Sequence, residues 1–250
     1  MKISLITAAY NSATTIGDTL RSVAEQTYPN VEHIVIDGAS TDNTLKVIHG
    51  HSGHLIHVVS ERDHGIYDAL NKGLRLATGD FVGFLNADDV FAHKNVLRLV
   101  ADSTGPGAPI DAVYGDLVYV MRERPHRVLR RWRSGGFSPS RLRFGWMPPH
   151  PTFYVRKTLL DELGGFDTEL RIAADYDFML RCLLRPGVRV HYLPEVLVRM
   201  RIGGASNRSL MTMLRKSSED LRVMQRNDVG GWFTLLCKNT RKLSQFFAAN

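Results

Sequence analysis

Short runs of β-branched and other apolar residues alternate with segments of helical periodicity over the first 120 residues. The runs that predict strands are Ile3–Thr7, Val31–Ile36, Leu55–Val59, Phe81–Leu85 and Ala112–Val120. Between them, apolar residues recur at helical spacing at Ile16, Leu20 and Val23, at Leu45 and Ile48, at Ile66, Leu70 and Leu74, and along His93–Val100. Strands and helices that alternate in this way form right-handed βαβ units. The pattern therefore predicts an α/β fold in which helices flank a mostly parallel sheet.

The pattern changes after Val120. Residues 122–143 contain eight arginines together with Gly135, Gly136 and Pro139, which is typical of an inserted loop. Helical periodicity returns at Arg156–Leu163, Asp175–Leu184, Ser209–Arg226 and Trp232–Ala248, and the run Val188–Leu193 predicts a short strand. We expect three parts: an α/β half at 1–118, a second half of the same domain at 119–207, and a C-terminal helical extension at 208–250.

Charge separates the two halves of the chain. Residues 1–118 carry a net charge of −6 and residues 119–250 a net charge of +13, within a total of +7. An acidic half suits cation binding, whereas a basic half suits phosphate, nucleic acid or anionic lipid. Because no nucleic-acid-reading motif accompanies the charge, we do not expect nucleic acid as a partner.

The sequence also bears on where the protein works. Its two cysteines, Cys182 and Cys237, lie far apart and lack metal-ligand spacing, so a reduced cytoplasm is expected. The start of the chain is interrupted by Asn11 too soon for a secretory signal, and no run of about 18 apolar residues follows. We expect a cytoplasmic protein, with peripheral attachment to the inner face of the cell membrane as an extension of that prediction.

Polar residues follow the carboxyl ends of the first four predicted strands, where open parallel sheets bind their ligands. The segments at these ends are TAAYN, DGASTD, SERD and NADD. In the last of them, Asp88 and Asp89 suit a divalent cation that is shared with substrate phosphates, or else a helix N-cap. The sequence contains neither a G-x-G-x-x-G after the first strand, nor a P-loop, nor a G-x-S-x-G elbow. Nicotinamide, P-loop and α/β-hydrolase sites are therefore disfavoured.

Five stretches, in order and in register, carry a family resemblance. They are ISLITAAYNS, VIDGASTDNT, SERDHGIYDALNKG, ATGDFVGFLNADD, and HPTFYVRK with AADYDFMLR. Together they resemble family-2 glycosyltransferases with the GT-A fold. The resemblance implies an inverting transferase that moves a sugar from a nucleotide-diphosphate donor, UDP-sugar in the commonest case, to a lipid-linked or glycan acceptor in bacterial surface polysaccharide or glycolipid synthesis. A catalytically weak nucleotide-sugar-binding subunit of a glycan-assembly complex remains the alternative.

The resemblance also implies roles for individual residues of the first half. The donor would be contacted by Thr7, Ala8, Tyr10, Asp37, Gly38, Asp63, Asn71, Lys72, Asn86 and Ala87. Asp88, helped by Asp89, would bind Mn²⁺ or Mg²⁺, although Asn86 stands where the family commonly has an aspartate. Lys72 would face the diphosphate, and a solvated helix lysine explains it equally well.

Two residues of the second half would serve catalysis. Asp175 matches the family's catalytic base, which takes the proton of the acceptor hydroxyl while the diphosphate leaves from the opposite face. Ala174 replaces the glutamate that usually precedes this aspartate. His150, which lies between two prolines, would stand beside the acceptor or the diphosphate, and a loop histidine without a chemical role is the equal alternative.

The segment 230–250 has an amphipathic, basic pattern. At helical spacing one face holds Trp232, Leu235, Leu236, Leu243, Phe246 and Phe247, with Lys238, Arg241 and Lys242 beside it. This predicts attachment to an anionic membrane surface, which the arginines of residues 122–143 would reinforce. A helix packed on the domain, or half of a dimer contact, is the alternative, and the oligomeric state stays open.

Overall fold

The computed structural model describes residues 1–51, 56–105, 109–122, 124, 127–203 and 210–247. Its strands are β1 (Ile3–Ala9), β2 (Val31–Asp37), β3 (Ile56–Ser60), β4 (Phe81–Phe84), β5 (Val90–Phe91), β6 (Ala112–Val120), β7 (Val128–Trp132), β8 (Tyr154–Arg156) and β9 (Val190–Arg201). Its α-helices are α1 (Ile16–Ala24), α2 (Thr44–Gly50), α3 (Ile66–Leu76), α4 (Val96–Ser103), α5 (Pro139–Leu142), α6 (Lys157–Leu163), α7 (Ala174–Leu183), α8 (Leu210–Arg226) and α9 (Trp232–Phe247).

These strands form one sheet in the order β3-β2-β1-β4-β8-β6-β9-β5, with β7 paired to β6. Strands β1 to β4 are parallel to one another, and β6 is parallel to β9. β8 is antiparallel to both β4 and β6, while β5 and β7 are antiparallel to their partners. The predicted α/β fold is confirmed, and the sheet is parallel from β1 to β4 and mixed in its remaining strands.

Helices cover both faces of the sheet because side chains alternate along its strands. In β1, Ile6 packs in a cluster with α3 and α7, whereas Ile3 and Leu5 pack with α1 and α4 on the other face. The approach of α3 to the sheet is close at Gly73, where a Cβ would lie 2.4 Å from the Ile6 side chain. A glycine is therefore required at this crossing.

The described part of the arginine-rich segment 122–143 contains a strand and a helix, whereas its composition predicts a loop. β7 pairs antiparallel with β6, and α5 follows it. The arginines of β7 have local partners: the guanidinium of Arg130 lies 4.3 Å from the centroid of the Tyr119 ring, and Arg131 lies 3.9 Å from Asp116. The loop prediction is wrong here because this edge strand carries arginines where a strand pattern would show apolar residues.

The C-terminal helices pack on the domain. α8 contacts α7 and α9, and α9 also contacts β7. Lys238 of α9, expected at the edge of a membrane-facing surface, is instead buried and pairs with Asp220 of α8 at 2.8 Å. Its ammonium also lies 3.3 Å from the centroid of the Tyr176 ring in α7. None of the described helices is both long and apolar enough to cross a lipid bilayer.

Candidate active site

The carboxyl ends of the first strands meet at one edge of the sheet. Ala9 at the end of β1 pairs with Asp37 at the end of β2, and Asp37 pairs in turn with Ser60 at the end of β3. β4 runs parallel to β1 on its other side, with Phe84 opposite Ile6. The four polar segments that follow these strands therefore share one edge, as the sequence predicts.

Asp37 organises this edge from inside. Its side chain is fully buried, and one carboxylate oxygen accepts hydrogen bonds from the Ser40 backbone N–H at 3.0 Å and the Ser60 hydroxyl at 2.7 Å. At the neighbouring Gly38, a Cβ would lie 2.4 Å from a carboxylate oxygen of Asp63. The glycine thus allows the loops after β2 and β3 to approach each other closely.

The three predicted contacts of the first strand differ in exposure. Thr7 is fully buried and its hydroxyl lies 2.9 Å from Nε2 of His33, so its side chain is engaged inside the protein. Ala8 is half-buried. Tyr10, in contrast, is 62% exposed. Its ring is an open aromatic surface at the strand end.

The two candidates on α3 hold neighbouring loops. Asn71 donates to the backbone carbonyl of Phe166 and accepts from the Phe166 N–H, both at 2.8 Å. The ammonium of Lys72 donates to the carbonyl of Arg62 at 2.7 Å and lies 2.9 Å from Glu61. Both side chains are therefore engaged by the protein itself.

The acidic segment after β4 presents one accessible carboxylate. Asp89 is fully buried and accepts from the Asn86 amide at 2.8 Å and from the Arg201 backbone N–H at 3.3 Å. Burial and the neighbouring Asp88 raise the pKa of Asp89 to about 8. The Asp88 side chain is 29% exposed and lies 4.0 Å from Arg122. Ala87, between Asn86 and Asp88, is buried. Asp88 thus faces the open edge, whereas Asp89 stabilises the loop beneath it.

This arrangement fits one kind of metal site. Within the described ranges, no three His, Cys, Asp or Glu side chains converge to form a metal cage. Mg²⁺ commonly takes one or two carboxylates from the protein and completes its shell with water and substrate phosphates. Asp88 supplies an accessible oxygen ligand of the required type, so the residues fit an ion that arrives together with a diphosphate.

Asp175 lies in the first turn of α7 and is half-buried. One of its carboxylate oxygens accepts from the backbone N–H of Tyr176 at 2.8 Å and from the hydroxyl of Tyr67 at 3.4 Å. Asp177, two residues on, is fully buried and pairs with Arg181 at 2.8 Å. Of these two acids, Asp175 is the one that a substrate can reach.

His150 lies against an aromatic wall. Its ring stacks on Phe84 with centroids 5.0 Å apart and meets Phe166 edge-on at 5.6 Å. Nε2 is buried and makes no hydrogen bond within the described part of the chain. Burial lowers the pKa of His150, although the carboxylate of Asp175 acts in the opposite direction. The imidazole is therefore neutral at pH 7.

Three residues of this region were not predicted from the sequence to have a role. Tyr67 lies inside the GIYDALNKG motif but showed no separate signal. Tyr119 is half-buried on β6; burial raises its pKa, and both Asp89 and Asp175 add to that increase, so both acids lie within electrostatic range of the Tyr119 hydroxyl. Glu219 of α8 contacts the segment before Asp175. No local pattern could reveal Glu219, because the contact joins distant parts of the chain.

Comparison with known proteins agrees with this geometry. The model of the family "Glycosyl transferase family 2" matches residues 4–164. A PGL/p-HBAD biosynthesis glycosyltransferase of Mycobacterium bovis is 34% identical over 208 residues, which cover 82% of this chain and 78% of that protein. An uncharacterized glycosyltransferase of Mycobacterium tuberculosis is 32% identical over 190 residues, covering 73% and 69%.

Solved structures share the fold. TarS 1–349 of S. aureus in complex with UDP-GlcNAc superposes with a TM-score of 0.71 at 22% identity, over 100% of this chain and 72% of that chain. The chain spans 43% of a longer TarS structure. The mannosyltransferase PcManGT of Pyrobaculum calidifontis, in complex with GDP-Man and Mn²⁺, gives 0.68 at 23% identity, over 99% and 73%. At these identities the likeness concerns the fold, which is the GT-A fold.

Proposed function

Because the chain belongs to glycosyl transferase family 2 and is a glycosyltransferase, we propose that it transfers a sugar from a UDP-sugar to a lipid-linked or glycan acceptor, with inversion at the anomeric carbon. The observation that carries the proposal is the reachable carboxylate of Asp175, held at the start of α7 while Asp177 is buried. A UDP-GlcNAc-bound relative of the same fold supports the donor, and a relative named for PGL/p-HBAD biosynthesis supports a glycolipid acceptor.

The donor nucleotide would lie across the ends of β1 to β3. The exposed ring of Tyr10 offers a stacking surface for the base, since aromatic side chains stack on any nucleobase. Asp63 would accept from the base or the ribose beside Gly38, where the absence of a side chain permits close approach. Asp37, buried beneath the nucleotide, would hold the loop in place through its hydrogen bonds with Ser40 and Ser60.

The diphosphate would lie over Asp88 and Arg122. Asp88 would hold Mn²⁺ or Mg²⁺, an ion that stabilises the charge developing on the leaving diphosphate when it is bound. Arg122 carries a positive charge within 4.0 Å of the same carboxylate and would pair with a phosphate oxygen. Asn86 keeps its neighbour Asp89 in place through its amide.

Asp175 would accept the proton of the acceptor hydroxyl as that oxygen attacks the anomeric carbon. A single base on the face opposite the leaving group gives an inverted product. The backbone N–H of Tyr176 hydrogen-bonds this carboxylate and fixes its orientation, and the hydroxyl of Tyr67 lies 3.4 Å from the same oxygen. His150 remains neutral and can donate or accept one hydrogen bond without adding charge.

The experiment compares Asp175→Asn with wild type and with Asp161→Asn, a matched control on the surface of α6. Sugar transfer is followed with UDP-sugars, and calorimetry measures binding of UDP, GDP and dTDP with and without Mn²⁺. We expect metal-enhanced binding of UDP that both variants retain, and a loss of turnover of about 10²- to 10⁴-fold in Asp175→Asn alone. Turnover near that of wild type in Asp175→Asn would overturn the assignment of the base.

We further propose that the exposed face of α9 attaches the enzyme to an anionic membrane surface. Trp232, Phe233 and Leu236 are each more than 60% exposed, and the exposed ring of Phe144 lies 6.2 Å from Phe233. Together these four residues form the apolar patch. Cations flank it: Arg143 and Arg241 are exposed. An apolar surface edged by arginines suits a bilayer interface with anionic headgroups.

Vesicle sedimentation tests the apolar patch. Wild type should bind vesicles of phosphatidylglycerol more than those of phosphatidylcholine, and salt should weaken this binding. The double variant Trp232→Ser, Leu236→Ser should lose binding, whereas Leu76→Ser, at an exposed apolar position of α3, should retain it. If the same fraction of wild type and of the double variant sediments with the vesicles, the proposal is contradicted. It is also contradicted if light scattering shows that wild type is a dimer and the double variant a monomer, because the apolar patch would then join two copies of the chain.

A further inference from the structure

Glu219 reaches from α8 to the segment that leads into Asp175. Its side chain is buried, and one carboxylate oxygen accepts from the backbone N–H groups of Ile172 at 2.8 Å and Ala173 at 3.0 Å. The other oxygen accepts from the N–H of Arg171 at 3.3 Å. A single carboxylate therefore binds three consecutive backbone donors.

The location of these donors explains why a carboxylate is needed. α7 begins at Ala174, and the N-terminus of a helix presents unpaired N–H groups and a positive partial charge. An N-cap residue normally accepts a hydrogen bond from one of these N–H groups with a side-chain oxygen, but the N-cap residue here, Ala173, has no such oxygen. Glu219, from a different helix, instead accepts from the N–H of Ala173 and of the two residues before it, which places its negative charge next to the positive end of α7.

The same peptide segment is held from its other side. The Tyr67 hydroxyl donates to the carbonyl of Ile172 at 2.6 Å and also contacts Asp175. Ile172 is thus fixed at its N–H by one helix and at its carbonyl by another. These two hydrogen bonds at Ile172 set the backbone position of Asp175, three residues further on.

We infer that Glu219 is a positioning residue for the catalytic base, a role that rests on the proposed function of Asp175. Both of its carboxylate oxygens are engaged by the backbone of residues 171–173, and it acts through that backbone. Catalytic groups must be held close to their productive geometry, and a displacement of about 1 Å can cost 100-fold in rate. Glu219 lies beyond the part of the chain that the family model matches, so this support comes from the C-terminal helices.

Glu219→Gln and Glu219→Ala test the inference, with Arg226→Ala as the matched control. Arg226 also ties α8 to the segment before α7, through an ion pair with Asp167 at 2.6 Å, but does not contact residues 171–173. Glutamine keeps one acceptor oxygen and turns an amide N–H toward a backbone donor. We expect turnover to fall about 10- to 100-fold in Glu219→Gln and further in Glu219→Ala, with UDP affinity unchanged and the control close to wild type.

A double-mutant cycle separates positioning from loss of stability. In an Asp175→Asn background, Glu219→Gln should cost no further turnover, because no base remains to be positioned. An equal cost in both backgrounds, or a parallel loss of UDP binding, would overturn the inference while leaving Asp175 as the base. Normal turnover in Asp175→Asn alone would instead overturn the proposed function.

Discussion

The buried ion pair between α8 and α9 gives a prediction whose size follows from the structure. Lys238 and Asp220 are 6% and 2% exposed and their charged atoms lie 2.8 Å apart. At an effective dielectric constant of about 20 this separation corresponds to an attraction of about 6 kcal/mol, which desolvation of the two groups offsets in part. Asp220→Asn leaves the ammonium buried without its partner, and such changes cost about 3–5 kcal/mol. We expect a loss of this size in the free energy of unfolding at pH 7.

The pH dependence of that loss can be given a sign. Burial lowers the pKa of Lys238, and Asp220 opposes this in the wild type. Without Asp220, the lysine in the folded state holds its proton more weakly than in the unfolded state. The unfolded state then binds more protons, so the stability of Asp220→Asn should rise with pH and its deficit should be smaller at pH 9 than at pH 7.

Urea unfolding, followed by tryptophan fluorescence at both pH values, measures these differences. The double variant Asp220→Asn, Lys238→Met should recover most of the loss, since an apolar pair can replace a buried ion pair at little cost. Glu162→Gln removes an exposed ion pair with Arg185 and should cost less than about 1 kcal/mol. A deficit below 1 kcal/mol in Asp220→Asn, or a double variant as unstable as the single one, would refute the reasoning.

Three further outcomes are expected. Burial raises the pKa of Glu32, but hydrogen bonds led by the one from Lys2 lower it from 4.5 to about 2. Glu32→Gln should therefore cost up to about 3 kcal/mol of unfolding free energy at neutral pH, and this contribution is lost as the pH falls from 4.5 toward 2. Urea titrations in which the stabilities of variant and wild type fail to converge in acid would contradict this expectation. Asp88→Asn should remove the enhancement of UDP binding by Mn²⁺ in calorimetry while binding without metal persists, and an enhancement that survives would exclude Asp88 as the ligand. His150→Phe should keep the stacking on Phe84 and a thermal midpoint close to wild type while turnover falls, and unchanged turnover would assign the ring to packing.

The first half of the fold could be predicted from the sequence because its signals are local. Its parallel strands β1, β2 and β4 are buried on both faces, and these strands and β3 appear as short apolar runs followed by polar residues. In the second half, β8 has only three residues, β7 carries Arg130 and Arg131, and β9 extends over twelve residues rather than the short run expected. The length and pairing of these strands depend on contacts with strands that are distant in the sequence, and no short segment of the sequence contains that information.

The candidate site divides in the same way. Residue types and strand ends indicated Asp88, and the family resemblance indicated Asp175, but the direction of a side chain depends on its tertiary neighbours. Asn71, predicted to contact the donor, holds the backbone of Phe166. Helical periodicity likewise placed Lys238 at the border of an apolar face, but it could not tell which side of α9 would meet the domain.

The two sides of α9 have a consequence for the length of the acceptor. Its inner side contacts Tyr176, the residue after Asp175, and its outer side carries Trp232 and Leu236. A helix with its side chains is about 10–12 Å thick. With the apolar patch resting on a bilayer, the attacking hydroxyl would have to stand about that far above the lipid headgroups. The thickness of one helix would then select acceptors by the height of their terminal sugar above the membrane.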